Sequence, residues 1–155
     1  MTGSKQYPDA IEPGQVGTYP ARVYAGGGYV WDAVLEYRVW CYPERGASDL
    51  ADGSDYFYSF ATYQEAQAFF EQTDGAKEPL ALVLQEEYIE EPKDGQYVHV
   101  QEQRMTEWPV MFLSRPRRTP DTIPAFLAPD APANRLDILR GIAPVPNSQE
   151  GADDA

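Results

Sequence analysis

Tyr29-Val30-Trp31-Asp32-Ala33-Val34-Leu35-Glu36-Tyr37-Arg38-Val39-Trp40-Cys41-Tyr42 is the stretch on which the fold reading turns. Trp31, Ala33, Leu35, Tyr37, Val39 and Cys41 share one parity, and Asp32, Glu36 and Arg38 share the other. Alternation with period two, in residues rich in β-branched and aromatic side chains, predicts a half-buried strand. Before it, Tyr19 to Tyr24 reads as a strand ended by Gly26-Gly27-Gly28. Those glycines predict a flexible turn. They lack the G-x-G-x-x-G or Gly-Lys-Ser/Thr context of a phosphate loop.

Past Pro43, a loop from Glu44 to Asp55 leads to a short strand, Tyr56 to Ala61. Thr62 followed by Glu65 is a capping box, and Tyr63, Ala66, Phe69 and Phe70 then form a helical stripe suited to lying on a sheet. Gly75 supplies a stop. Leu80 to Leu84 reads as an interior strand continuing through Tyr88 and Ile89 to an Asp94-Gly95 turn, with Gln96 to Arg104 returning. Trp108 to Leu113 reads as a last strand or an extended segment. Eight of the fourteen prolines lie between Pro109 and Pro146, which forbids long regular elements there. One short helix is expected, with Asp130 as N-cap, Pro132 in its first turn, Leu136 and Leu139 buried, and Gly141 past its end.

The expected fold is α+β: a mostly antiparallel sheet of five or six strands, one packed helix, and a proline-rich C-terminal arm carrying a short helix. Residues 1–18 are expected to be a flexible N-terminus and residues 19–143 a single domain that includes the arm, 109–143. Residues 144–155 are expected to be a disordered acidic tail.

The chain has 155 residues and a formal net charge of -13. Residues 44–102 hold fourteen acids against three bases, whereas 103–147 hold four acids and six arginines. Such a field disfavours direct binding to nucleic acid or to an anionic membrane. The polar stretch Met1 to Gln15 resembles no secretory signal, and no apolar run is long enough to span a bilayer. A cytoplasmic location is therefore expected. The one cysteine, Cys41, excludes an intramolecular disulfide, and the one histidine, His99, excludes a multi-histidine zinc site.

No pattern assigns catalytic residues. Cys41 and His99 would need to meet to act as nucleophile and base, yet Cys41 falls on the apolar parity of its strand. Asp49, Asp52 and Asp55 miss the spacing and the terminal glutamate of a calcium loop, so no metal site is expected. Two groups remain as binding candidates. Glu86, Glu87, Glu90 and Glu91 would be solvated charge that guards a hairpin edge, or an acidic docking surface. Arg115, Arg117 and Arg118 would bind a partner or a phosphate, or fold back on the acidic body, with Trp108 as either a core anchor or an exposed hot spot.

Ala21-Arg22-Val23-Tyr24, Tyr37-Arg38-Val39-Trp40-Cys41, Glu78-Pro79-Leu80-Ala81-Leu82-Val83, Thr106-Glu107-Trp108-Pro109 and Arg115-Pro116-Arg117-Arg118-Thr119-Pro120 together resemble a group of small, chiefly alphaproteobacterial proteins. Some of these are designated GNAT-type N-acetyltransferases, and the resemblance spans roughly residues 19–143. It implies acetyl-CoA as a ligand, held by a [RQ]-x-x-G-x-[GA] loop. Gln85 fits the first position of that loop, but Tyr88 and Glu90 stand at the small-residue positions, so no site residue is carried over.

Taken together, the sequence points to a small acidic binding protein without catalytic activity or cofactor, whose partner is a protein with a basic patch. The alternative is a GNAT-like acyltransferase with a degenerate acetyl-CoA loop.

Overall fold

The computed structural model describes residues 7–25 and 29–144. The glycine turn at 26–28 and nearly all of the acidic tail lie outside the described residues. The strands are β1 (Tyr24–Ala25), β2 (Ala33–Cys41), β3 (Tyr56–Phe60), β4 (Leu80–Gln85), β5 (Tyr88–Lys93), β6 (Gln96–Val100) and β7 (Arg104–Pro109). The helices are α1 (Tyr63–Glu71), α2 (Thr122–Leu127) and α3 (Arg135–Leu139). The fold is α+β, as expected.

Five strands form one sheet in the order β1-β7-β4-β2-β3, antiparallel throughout except for the parallel pair β1 and β7. The central strand β2 carries a bulge: Val34 lies opposite Val83, but Glu36 lies opposite Leu82. One extra residue resets the alternation. Val34, not Leu35, therefore joins Tyr37 and Val39 in the main core, with Ala66, Ala81, Val83 and Trp108. The opposite face is not the solvent face that alternation predicts. Glu36 and Arg38 are fully buried, because the segment leading to β1 lies over them.

α1 packs on the main core through Ala66. Thr62 caps it, its Oγ1 accepting from the Glu65 amide at 3.1 Å and donating to Glu65 Oε1 at 3.2 Å. Gly75 has a φ of +77, and a Cβ there would meet the Ala47 amide nitrogen at 2.2 Å, so close backbone approach demands glycine.

Several expectations need correction. Of the expected strand Tyr19 to Tyr24, only Tyr24 is in a strand, the two-residue β1. The strand from Leu80 does not run on to Tyr88. The chain turns at 86–87 and starts a separate two-stranded sheet of β5 and β6. Arg104 opens β7 rather than closing β6, and Val110–Ser114 is a 3-10 helix rather than strand. In the proline-rich arm α3 begins after Asn134 instead of Asp130, and α2 was not foreseen. Pro124 sits in the first turn of α2, where a missing N–H costs no helical hydrogen bond.

β5 and β6 pack with α2 and α3 around a second core of Val30, Tyr88, Ile89, Ile123 and Phe126. Leu136 and Leu139 pack against it half-buried. Residues 7–18, expected as a flexible extension, are tied to the sheet. Ala10 donates to the Ala61 carbonyl at 2.8 Å, Ile11 to Val34 at 2.9 Å, and Gly17 to Glu36 Oε1 at 2.8 Å.

Candidate functional site

Six of the nine arginines are buried or half-buried. Arg38 donates to Glu36 Oε2 at 2.7 Å, to Glu107 Oε2 at 2.9 Å and to the Pro20 carbonyl at 2.6 Å, with its guanidinium 4.4 Å from the Phe57 ring centre. Arg104 lies 3.6 Å over Tyr88 and donates to the buried Gln85 at 2.8 Å. Arg115 covers Phe112 and Trp108, and burial pushes its pKa below the usual arginine value. Arg135 stacks on Tyr97 and Phe126, and Arg140 lies over Tyr29. Guanidinium groups are weakly hydrated and stack well on ring faces, so they tolerate such positions.

Arg115, Arg117 and Arg118 diverge. The Arg118 amide bonds the Trp31 carbonyl at 2.8 Å, and its side chain bridges Asp32 at 2.9 Å and Glu87 at 3.0 Å. The arm thus folds back on the acidic body through Arg118. Arg117 remains exposed, 5.0 Å over the Trp31 ring. Trp108 is 0% exposed, at the centre of the main core, so it has no surface to offer a partner.

The acidic run divides similarly. Glu87 pairs with His99 and Arg118, and Glu91 accepts from the Tyr29 hydroxyl at 2.5 Å and from the Gly95 amide at 2.8 Å. The Tyr29 bond is the main reason that the Glu91 carboxyl sits below its ordinary pKa. Glu86 and Glu90 stay exposed. Gln85 leads into the turn before β5, and its side chain is buried against the Val30 carbonyl at 2.8 Å, so no loop opening a helix follows β4.

Cys41 is buried in the large sheet, where desolvation pushes its thiol pKa up, whereas His99 belongs to the small one. The structure does not bring them together as a bonded pair. Asp49 accepts from the Gly53 amide at 2.7 Å, the geometry of a local turn.

Two surface features remain, a sheet edge and a groove, and neither is specified by a local sequence pattern. β3 pairs only with β2, so its outer edge has no strand partner among the described residues. Its sequence is Tyr56-Phe57-Tyr58-Ser59-Phe60, and Tyr58 is 41% exposed. Exposed Asp49, Asp52 and Asp55 precede it, and Glu65 and Glu71 lie on the neighbouring α1. The second feature is a groove of about 440 Å³ between α2 and α3, with Arg117 and Arg135 in its wall. Both depend on contacts between distant segments, which alternation and capping signals do not encode.

No family model, curated protein or solved structure matches the chain.

Proposed function

We propose that the protein is a binding protein without catalytic activity, and that it docks a protein partner through the outer edge of β3. That edge is the observation that carries the reading. Natural edge strands are protected by lysines, prolines, bulges or extreme shortness, because a row of unpaired N–H and C=O groups recruits other strands. β1, at the opposite edge, is two residues long. β3 has five residues without a charge, proline or bulge. An extended segment adding to it would gain main-chain hydrogen bonds, with side-chain specificity supplied at alternate positions.

Charge selects the partner. Most of the arginines face inward, while Glu44, Asp49, Asp52, Asp55, Glu65 and Glu71 are exposed in the region around β3. A partner with a basic patch gains from this field, and its association should weaken with salt. The test is titration of the ¹⁵N-labelled protein with an extended peptide of alternating lysine and valine. The expected result is saturable shifts centred on residues 56–60, with affinity falling at least tenfold between low and high salt. Absence of shifts on β3, or binding indifferent to salt, would overturn the reading.

A further inference from the structure

We propose that the groove between α2 and α3 is a binding site for a small amphipathic carboxylate, an apolar chain ending in an anionic head. This proposal is independent of the β3 reading.

The groove is open to solvent and has a volume of about 440 Å³, within the range of roughly 300–1,000 Å³ over which proteins hold small molecules. Its wall is built by Ala125, Phe126, Pro132, Ile138 and Leu139, together with the ring of Pro116. These side chains offer no hydrogen bond, so the occupant's body must be apolar. Phe126 belongs to the second core, and Ile138 and Leu139 lie on the facing helix. The wall is therefore built from packed elements, although each helix is short.

The head group is identified by the polar members. Arg117 and Arg135 line the groove, and neither has a carboxylate within ion-pair distance among the described residues. Asp121 also lines it, outside ion-pair distance of both arginines, as do Thr119 and Thr122, whose hydroxyls bond each other, that of Thr122 also accepting from the Thr119 amide. Arg135 is positioned in advance. Its Nη1 donates to the Phe126 carbonyl at 2.7 Å, and its guanidinium rests 4.5 Å from the Phe126 ring and 4.9 Å from that of Tyr97. Its remaining donors are held in place without further loss of rotamer freedom. Arg117 is similarly steadied by Trp31 at 5.0 Å. The guanidinium fork matches the two oxygens of a carboxylate. At a net charge of -13 the protein repels anions at long range, so local arginines are what an anionic ligand would need. A neutral occupant would have no use for them.

Octanoate is the probe, kept below its micelle concentration and followed by ¹⁵N–¹H shifts of the full chain. 1-Octanol tests the head group and acetate tests the tail. Octanoate should bind saturably with a Kd of about 1 mM or tighter, as a ligand of that size allows. Shifts should be confined to residues 116–139 and the Trp31 indole. 1-Octanol should bind at least tenfold more weakly, and acetate should produce no saturable shift. Ala125→Trp, a change at an exposed position of α2, should abolish binding with the thermal midpoint retained. Arg117→Gln should weaken octanoate severalfold and leave 1-octanol unchanged. If Arg135→Gln lowers the midpoint, the Arg117 and Ala125 variants decide the matter. Shifts spread over the surface, binding that survives Ala125→Trp, equal affinity for 1-octanol, or no binding at all would overturn the proposal. Shifts on β3 instead of the groove would also overturn it, leaving the edge reading to its own test.

Discussion

Arg38 holds a charge that water does not reach, and two carboxylates answer it. Glu36 and Glu107 accept from its guanidinium, Trp40 Nε1 donates to Glu107 at 2.9 Å, and the Pro20 and Ala21 carbonyls take the outer N–H groups. Desolvating such a cluster is costly, and its attraction repays that cost only when every member is satisfied. Arg38→Met keeps the volume and removes the cation, leaving two carboxylates facing each other under the segment from Gly17 to Ala21. We expect a loss of about 3–5 kcal/mol in unfolding free energy by denaturant titration. A loss below about 1 kcal/mol would mean that this segment lifts away and lets water in.

The β5–β6 hairpin is held by local and long-range devices acting together. Asp94-Gly95 forms its turn, with Gly95 at a φ of +80, as the sequence pattern anticipates. The longer tie is the Tyr29 hydroxyl on Glu91, which pushes the tyrosine pKa from 10.0 up to about 12, with the hydrogen bond the largest cause and burial next. A tyrosine whose folded pKa is raised contributes stability that is fully present below its unfolded pKa. That contribution is lost as pH climbs through about 10 towards 12. Difference titration of phenolate absorbance between wild type and Tyr29→Phe should therefore reveal one tyrosine ionising near 12. Glu91→Gln should bring that ionisation back towards the ordinary value. A Tyr29 that titrates normally in the wild type would show that the bond does not persist in solution.

At the scale of the molecule, a chain of charged side chains runs between the two cores. His99 on β6 meets Glu87, Glu87 meets Arg118, and Arg118 meets Asp32, whose other oxygen accepts from the Glu86 amide at 2.7 Å. Removing Arg118 leaves both cores packed but unlinked at this point. Arg118→Ala should speed amide exchange in β5, β6 and α2 by about tenfold, equivalent to about 1.4 kcal/mol of local opening. Exchange in β2 and β4 should change little. Equal acceleration everywhere would mean that the two cores open as a single cooperative unit.

Those parts of the fold that neighbouring residues dictate were legible in the chain. The strand through Tyr37 and Val39, the Thr62 cap and the Asp94-Gly95 turn each rest on side chains a few positions apart, where periodicity and capping chemistry act directly. The face that each strand residue presents was a different matter. A bulge between Val34 and Glu36, set by pairing with β4, put Val34 rather than Leu35 on the core face, and the N-terminal segment covers the face that Glu36 and Arg38 share. The fate of the arginines was equally hidden. Arg118 and Asp32 are partners 86 positions apart, and Arg135 acquires its place from rings on β6 and α2. Composition shows how much charge a chain carries. Packing decides which charges keep their water, because the energy of a charge depends on what surrounds it in space and only weakly on its neighbours in sequence. The open edge of β3 and the groove beside Arg117 follow from that same packing.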